Sequence, residues 1–155
     1  MNHQTIHIYT DGSYNNGSET GAYAAIIFIY DEKIIIKNIV NNSTHNRMEL
    51  CAVIESIDFI IKKQLNFERI NIYTDSQYVV GLTTRKEKLH NKDFLTNKGT
   101  LIRNADLVKK LIHYIETLPL SLIKVKAHLK ETNIINYNRE VDKIARAMVR
   151  DASNI

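Results

Sequence analysis

The same four residues, Ile-Tyr-Thr-Asp, occur twice in this chain, at 8–11 and at 72–75, and each copy is followed by a small residue, Gly12 or Ser76. Each copy closes a short run rich in β-branched and aromatic types, the composition of a strand. The text therefore puts a carboxylate at the end of two strands. If those strands lie side by side and parallel, Asp11 and Asp75 become neighbours at the carboxyl edge of an open sheet, where ligands of such sheets gather.

The other segments fit around this pair. Residues 5–10 alternate and stop at Asp11-Gly12-Ser13, a turn signal; residues 22–30 and 33–40 are two apolar runs joined by Asp31-Glu32 and predict a hairpin. From about Asn46 the period changes: Leu50, Ile54, Ile57 and Ile61 predict a helix to about Gln64. Residues 70–74 give another strand, and Asp75-Ser76 opens a helix that Gly81 interrupts. Leu107, Leu111, Ile115 and Leu118 mark a helix over about Asn104 to Thr117, stopped by Pro119. A last strand at 121–126 and a last helix from about Asn138 to Arg150 follow. Three strands and then alternating helices and strands predict an α/β fold, a mixed sheet with helices on its faces.

The chain has 155 residues, 44% of them apolar, which suits a single domain over 1–155 with one core. No apolar run approaches the roughly 20 residues of a membrane-spanning helix, and the N-terminus has no signal-peptide pattern. Cys51 is the only cysteine, which excludes an intramolecular disulfide and a cysteine-ligated zinc site, and a reducing, cytoplasmic setting is expected. The net charge of +4 is concentrated: six basic residues (Arg85, Lys86, Lys88, Lys92, Lys98, Arg103) face two acidic ones between 85 and 103, and the remainder is balanced. That segment is either a phosphate-facing patch or a solvated basic face.

Each candidate acid has an ordinary structural explanation. Asp11 can form an Asx turn beside Gly12 and Asp75 can cap a helix. Glu49 stands at capping-box spacing from Asn46, and Asp142 can pair with Arg146 one turn later. Gathered at one sheet edge, however, they form a strongly anionic site: two carboxylates about 5 Å apart repel by roughly 3 kcal/mol at an effective dielectric of 20. Such a cluster requires a cation or protonation. Oxygen ligands alone select a hard cation, magnesium or manganese, and two such ions can activate a water and stabilise the leaving oxygen of a phosphodiester.

Five pieces of text carry a resemblance: YTDGS at 9–13, HNRMELCAVIESI at 45–57, YTDSQYVV at 73–80, KAH at 126–128 and NREVDKIAR at 138–146. In this order and spacing the chain resembles ribonuclease H of type 1, the RNase HI class, over essentially its full length. The resemblance implies the RNase H-like fold, a five-stranded mixed sheet with three antiparallel strands followed by parallel ones. It implies that Asp11, Glu49, Asp75 and Asp142 hold two Mg2+ ions, with Mn2+ as a substitute, and that the RNA strand of RNA:DNA hybrids is cut to leave 5′-phosphate and 3′-hydroxyl ends. It further gives His128 a role in proton movement or product release, and makes Gly12, Ser13, Asn46 and Gln77 contacts to the duplex. The basic stretch, with Arg85, Lys86 and Lys88, looks like the family's substrate-binding protrusion. Similar proteins place tryptophans there; this chain has none, and Phe94 is the candidate stand-in.

The expected partner is an RNA:DNA hybrid, bound by a monomer. Two competing readings are the nuclease domain of a reverse transcriptase and a metal-free duplex-binding module. Met1, four residues before the first strand, argues for independence, and all four acids argue against a module that has lost its chemistry.

Overall fold

The computed structural model describes residues 4–126 and 136–153. Five strands, β1 (Thr5–Asn15), β2 (Thr20–Ile29), β3 (Glu32–Asn41), β4 (Arg69–Thr74) and β5 (Leu120–Lys124), form one sheet of order β3-β2-β1-β4-β5. The first three are antiparallel; β4 pairs parallel to β1, and β5 parallel to β4. This is the mixed sheet that the alternation predicts. The helices are α1 (His45–Lys62), α2 (Gln77–Val80), α3 (Leu82–Asn91), α4 (Ala105–Thr117) and α5 (Tyr137–Ser153).

Alternation along the strands sorts the side chains into two layers. Ile6 and Ile8 of β1, Ala25 and Ile27 of β2, and Ile70 and Ile72 of β4 pack against Leu50, Val53, Ile54 and Ile57 of α1 and against Val108 and Leu111 of α4. On the opposite face Ala24 and Ile26 meet Val141 and Ala145 of α5. Strand β2 is thus covered on both faces, which is why its run AYAAIIFI shows no polar alternation. Tyr9 and Tyr73, opposite each other in the β1–β4 register, stack with centroids 4.6 Å apart.

Three local expectations are corrected. Strand β1 does not turn at Asp11-Gly12-Ser13: it continues to Asn15, because β2 stays paired with it from Asp11 opposite Ala24 to Asn15 opposite Thr20. The first turn of α1 is capped by Thr44, which accepts the Arg47 N–H at 3.2 Å, so Asn46 and Glu49 form no capping box. Ser76, not Asp75, caps α2, its Oγ accepting from the Val79 N–H. Both acids are thereby left free of the roles that would have explained them away.

The basic segment is also more ordered than its composition suggests. Leu82 and Leu89 anchor α3 to the core, and Leu95 bridges to Leu101 in the loop that follows. Phe94 is 8% exposed, packed in the core with its ring against His90 and under the Lys109 ammonium. It serves as an apolar anchor and offers no open face for stacking on a base.

Candidate active site

The register of β1 and β4 sets the site. Tyr9 pairs with Tyr73, so Asp11 and Asp75 each stand two residues beyond the same rung. Past that rung β4 ends at Thr74 while β1 runs on beside β2. The two carboxylates emerge at the same height. Glu49 is delivered from the second turn of α1, which Gly12 allows to lie directly on β1. A Cβ on Gly12 would sit 2.7 Å from the Glu49 nitrogen and 2.8 Å from the Met48 carbonyl carbon. Any side chain there would push the helix, and Glu49 with it, away from the sheet.

One carboxylate oxygen from each of Asp11, Glu49 and Asp75 lies within 4.8 Å of the others. Asp142, from α5, lines the same cleft of about 340 Å³, together with Gly12, Ser13, Tyr14, His45 and Arg146. Its Oδ1 accepts from Arg146 Nε at 2.9 Å, the helical pairing that the sequence allows. Asp11 and Glu49 are buried, at 6% and 1% exposure.

Burial and like charge have the expected consequence. The Asp11 carboxyl is pushed up to about 10, first by desolvation, then by the charges of Glu49 and Asp75, and further by a hydrogen bond with Asp142. Glu49 is raised as well, by burial above all, against the opposing hydrogen bond of His45 Nε2 to its Oε1 at 3.2 Å. His45 is raised in return, chiefly by that hydrogen bond. The other oxygen, Glu49 Oε2, is buried and has no hydrogen-bond partner. A cluster of this kind is stable only when protons or cations enter it.

The cleft brings together Asp11, Gly12, Ser13, Glu49, Asp75 and Asp142. Asn46 and Gln77 do not line it: both are exposed, on the first turns of α1 and α2. Arg85 and Lys88 are exposed on α3 and Lys86 is half-buried there, all apart from the cleft. His128 lies outside the described residues. Two residues of the cleft were not singled out from sequence, Tyr14 and His45. The signal for His45 was available: it precedes Glu49 by four residues, so a helix puts both on one face.

A sheet of order β3-β2-β1-β4-β5 with helices on both faces and acids beyond its central parallel strands defines the RNase H fold. The RNase H family model matches residues 3–150, and the chain belongs to that family, whose members are hydrolases acting on RNA:DNA hybrids. The ribonuclease H of Wolbachia sp. subsp. Drosophila simulans (strain wRi) is 34% identical over 153 residues, covering 98% of this chain and all of that one. The ribonuclease H of Caldicellulosiruptor saccharolyticus is 30% identical over 146 residues, or 93% of this chain and 95% of the relative. Among solved structures, LC9-RNase H1, described as a type 1 RNase H with the type 2 active-site motif, superposes with a TM-score of 0.79 at 21% identity, over 96% of this chain and 73% of its own. A foamy viral protease-reverse transcriptase solved with dsDNA gives 0.68 at 13% identity, over 94% of this chain and 92% of its own. Both of these likenesses speak for the fold.

Among the described residues, no helix is long and apolar enough to cross a membrane.

Proposed function

We propose that this chain is an endonuclease for the RNA strand of RNA:DNA hybrids, leaving 5′-phosphate and 3′-hydroxyl ends, with Asp11, Glu49, Asp75 and Asp142 holding two divalent cations. The single observation that carries the reading is the convergence of three buried or half-buried carboxylates within 4.8 Å of one another at the ends of parallel strands. The donor set fits a hard cation: every donor is a carboxylate oxygen, and Glu49 Oε2 is buried without a partner. Magnesium suits it, with manganese as a substitute. When bound, such ions supply the Lewis acidity that activates a water and stabilises the leaving 3′ oxygen.

The chain's own residues do the rest. The sheet and α1 fix Asp11, Glu49 and Asp75 on rigid elements, so no reorganisation is needed when charge develops at the phosphate. Arg146 keeps Asp142 oriented. Gly12, Ser13, Asn46 and Gln77 supply neutral donors and acceptors to the duplex, the chemistry that reads 2′-hydroxyls. Arg85, Lys86 and Lys88 on α3 contact phosphates of the DNA strand. His128 moves a proton or assists product release, a role that rests on the family resemblance. All four acids come from one chain, which suits a monomer, and the lone half-buried Cys51 suits a reducing cytoplasm.

The test is strand-resolved cleavage of labelled RNA:DNA, RNA:RNA and DNA:DNA duplexes with and without magnesium. Cutting confined to RNA in the hybrid and dependent on the cation is expected. Equal cutting of all three duplexes, or cutting in a chelator, would overturn the proposal.

A further inference from the structure

We propose that the cleft beside the acid cluster seats a backbone phosphate of the strand being cut, gripped by Arg150 together with Arg146. This rests on the hydrolytic reading above and adds a subsite to it.

The cleft, of about 410 Å³, lies between the β1–β2 loop and the C-terminal half of α5. It shares Ser13, Tyr14 and Arg146 with the acid cleft, so the two are continuous. Their chemistry is opposite. The first is lined by four carboxylates; among the described residues the second is lined by none, and has Arg146, Arg150, Asn15 and Asn16 instead. Asp142, Arg146 and Arg150 follow at intervals of four along one face of α5, so that Arg150 stands about 12 Å along the helix axis from Asp142. That distance corresponds to about three to four nucleotide rises.

The walls are held and the donors are free. Asn15 Oδ1 accepts the N–H groups of Gly17 at 2.8 Å and Ser18 at 3.2 Å, which folds the loop on itself and leaves the amide nitrogen of Asn15 as a donor. The Ser18 and Ser153 hydroxyls are hydrogen-bonded at 3.1 Å, tying the loop to α5. Arg146 spends only its Nε on Asp142. Arg150 has a loose contact with its neighbour Asp151 at 3.6 Å, both side chains about 70% exposed. Two guanidinium forks and an amide around a pocket without acids suit a phosphate, which accepts bidentate hydrogen bonds.

The test uses a hybrid with one short ribonucleotide block and single methylphosphonate substitutions, which remove one phosphate charge at a time. Arg150→Ala is expected to raise KM about three- to tenfold, as loss of one exposed charge-assisted contact should, and to lower the salt slope of binding by about one. Arg150→Lys should recover only part, because it lacks the fork. Wild type should be weakened by a methylphosphonate at one RNA-strand position within about four nucleotides of the cut, and Arg150→Ala should be clearly less sensitive to it. An unchanged KM and salt slope, the same sensitivity in the variant, or a lost sensitivity on the DNA strand would each overturn the seat. Binding of the same hybrids, followed by fluorescence anisotropy, reads the seat even if no cleavage occurs, so failure of the subsite and failure of the proposed activity are distinguishable. Thermal unfolding of both variants separates either result from misfolding.

Discussion

The acid cleft and the basic segment are both charge clusters, and they are built on opposite terms. In the cleft, Asp11 and Glu49 are buried, have like-charged neighbours and cannot move apart, because β1, β4 and α1 are locked by the core beneath them. On α3 and its following loop the charges stand in solvent except that of half-buried Lys86, and Leu82, Leu89 and Phe94 are the buried side chains. Enforced repulsion defines a site where each residue matters; relaxed charge defines a surface on which residues are interchangeable.

That contrast can be broken in four ways. The largest effect is expected for Asp11→Asn, which removes the group touching both Glu49 and Asp142. Loss of a metal clamp worth several kcal/mol corresponds to roughly a thousandfold in rate, with hybrid binding retained. Cleavage at the wild-type rate would refute the ligand assignment. Next, Gly12→Ala should cost about 1–3 kcal/mol of stability through overpacking against α1, and should reduce activity more than stability alone predicts because Glu49 moves. A chemical denaturation midpoint matching wild type would show that the approach of helix to strand is looser than described.

On the basic side, reversing Lys86 and Lys88 to glutamate should raise KM several-fold and flatten the salt slope by about two or more, leaving turnover nearly intact. An unchanged slope would reduce the segment to solubility. The smallest effect concerns pH. Asp11 and Glu49 have folded-state values above their unfolded ones, so the folded chain binds more protons. Their contribution is fully present below about pH 4 and is lost as pH rises toward the folded value, about 10 for Asp11. The metal-free protein should therefore melt a few degrees lower at pH 8 than at pH 6, and saturating magnesium should flatten that decline. A decline unaffected by magnesium would place its origin outside the cleft.

Much of this was legible in the sequence, because the strands carry their period openly and the repeated Ile-Tyr-Thr-Asp text marks two strands that end alike. Of the three local readings that failed, two concern the strand ends. Asp11-Gly12-Ser13 resembles a turn because Gly12 is permissive, yet the glycine is there to admit α1, whose Glu49 nitrogen would stand 2.7 Å from any Cβ at position 12, a closeness between distant segments that local text does not contain. Asp75 resembles a cap because it precedes a helix, but Ser76 takes that position. His45 and Arg150 were passed over since neither adds to a local charge excess; each acquires meaning only from what the fold places opposite it. Phe94 illustrates the converse: an aromatic in a basic loop suggests stacking, whereas its ring fills the space above α4.

The shared rung of Tyr9 and Tyr73 has a consequence for how the chain reaches its working state. A slip of one position between β1 and β4 would move Asp75 by about 3.3 Å along the strand and turn its neighbours to the other side of the sheet. The stacked tyrosines would lose each other in the same event. Catalytic competence is therefore a report on strand alignment: molecules that have collapsed with the wrong pairing hold the right residues and do no chemistry.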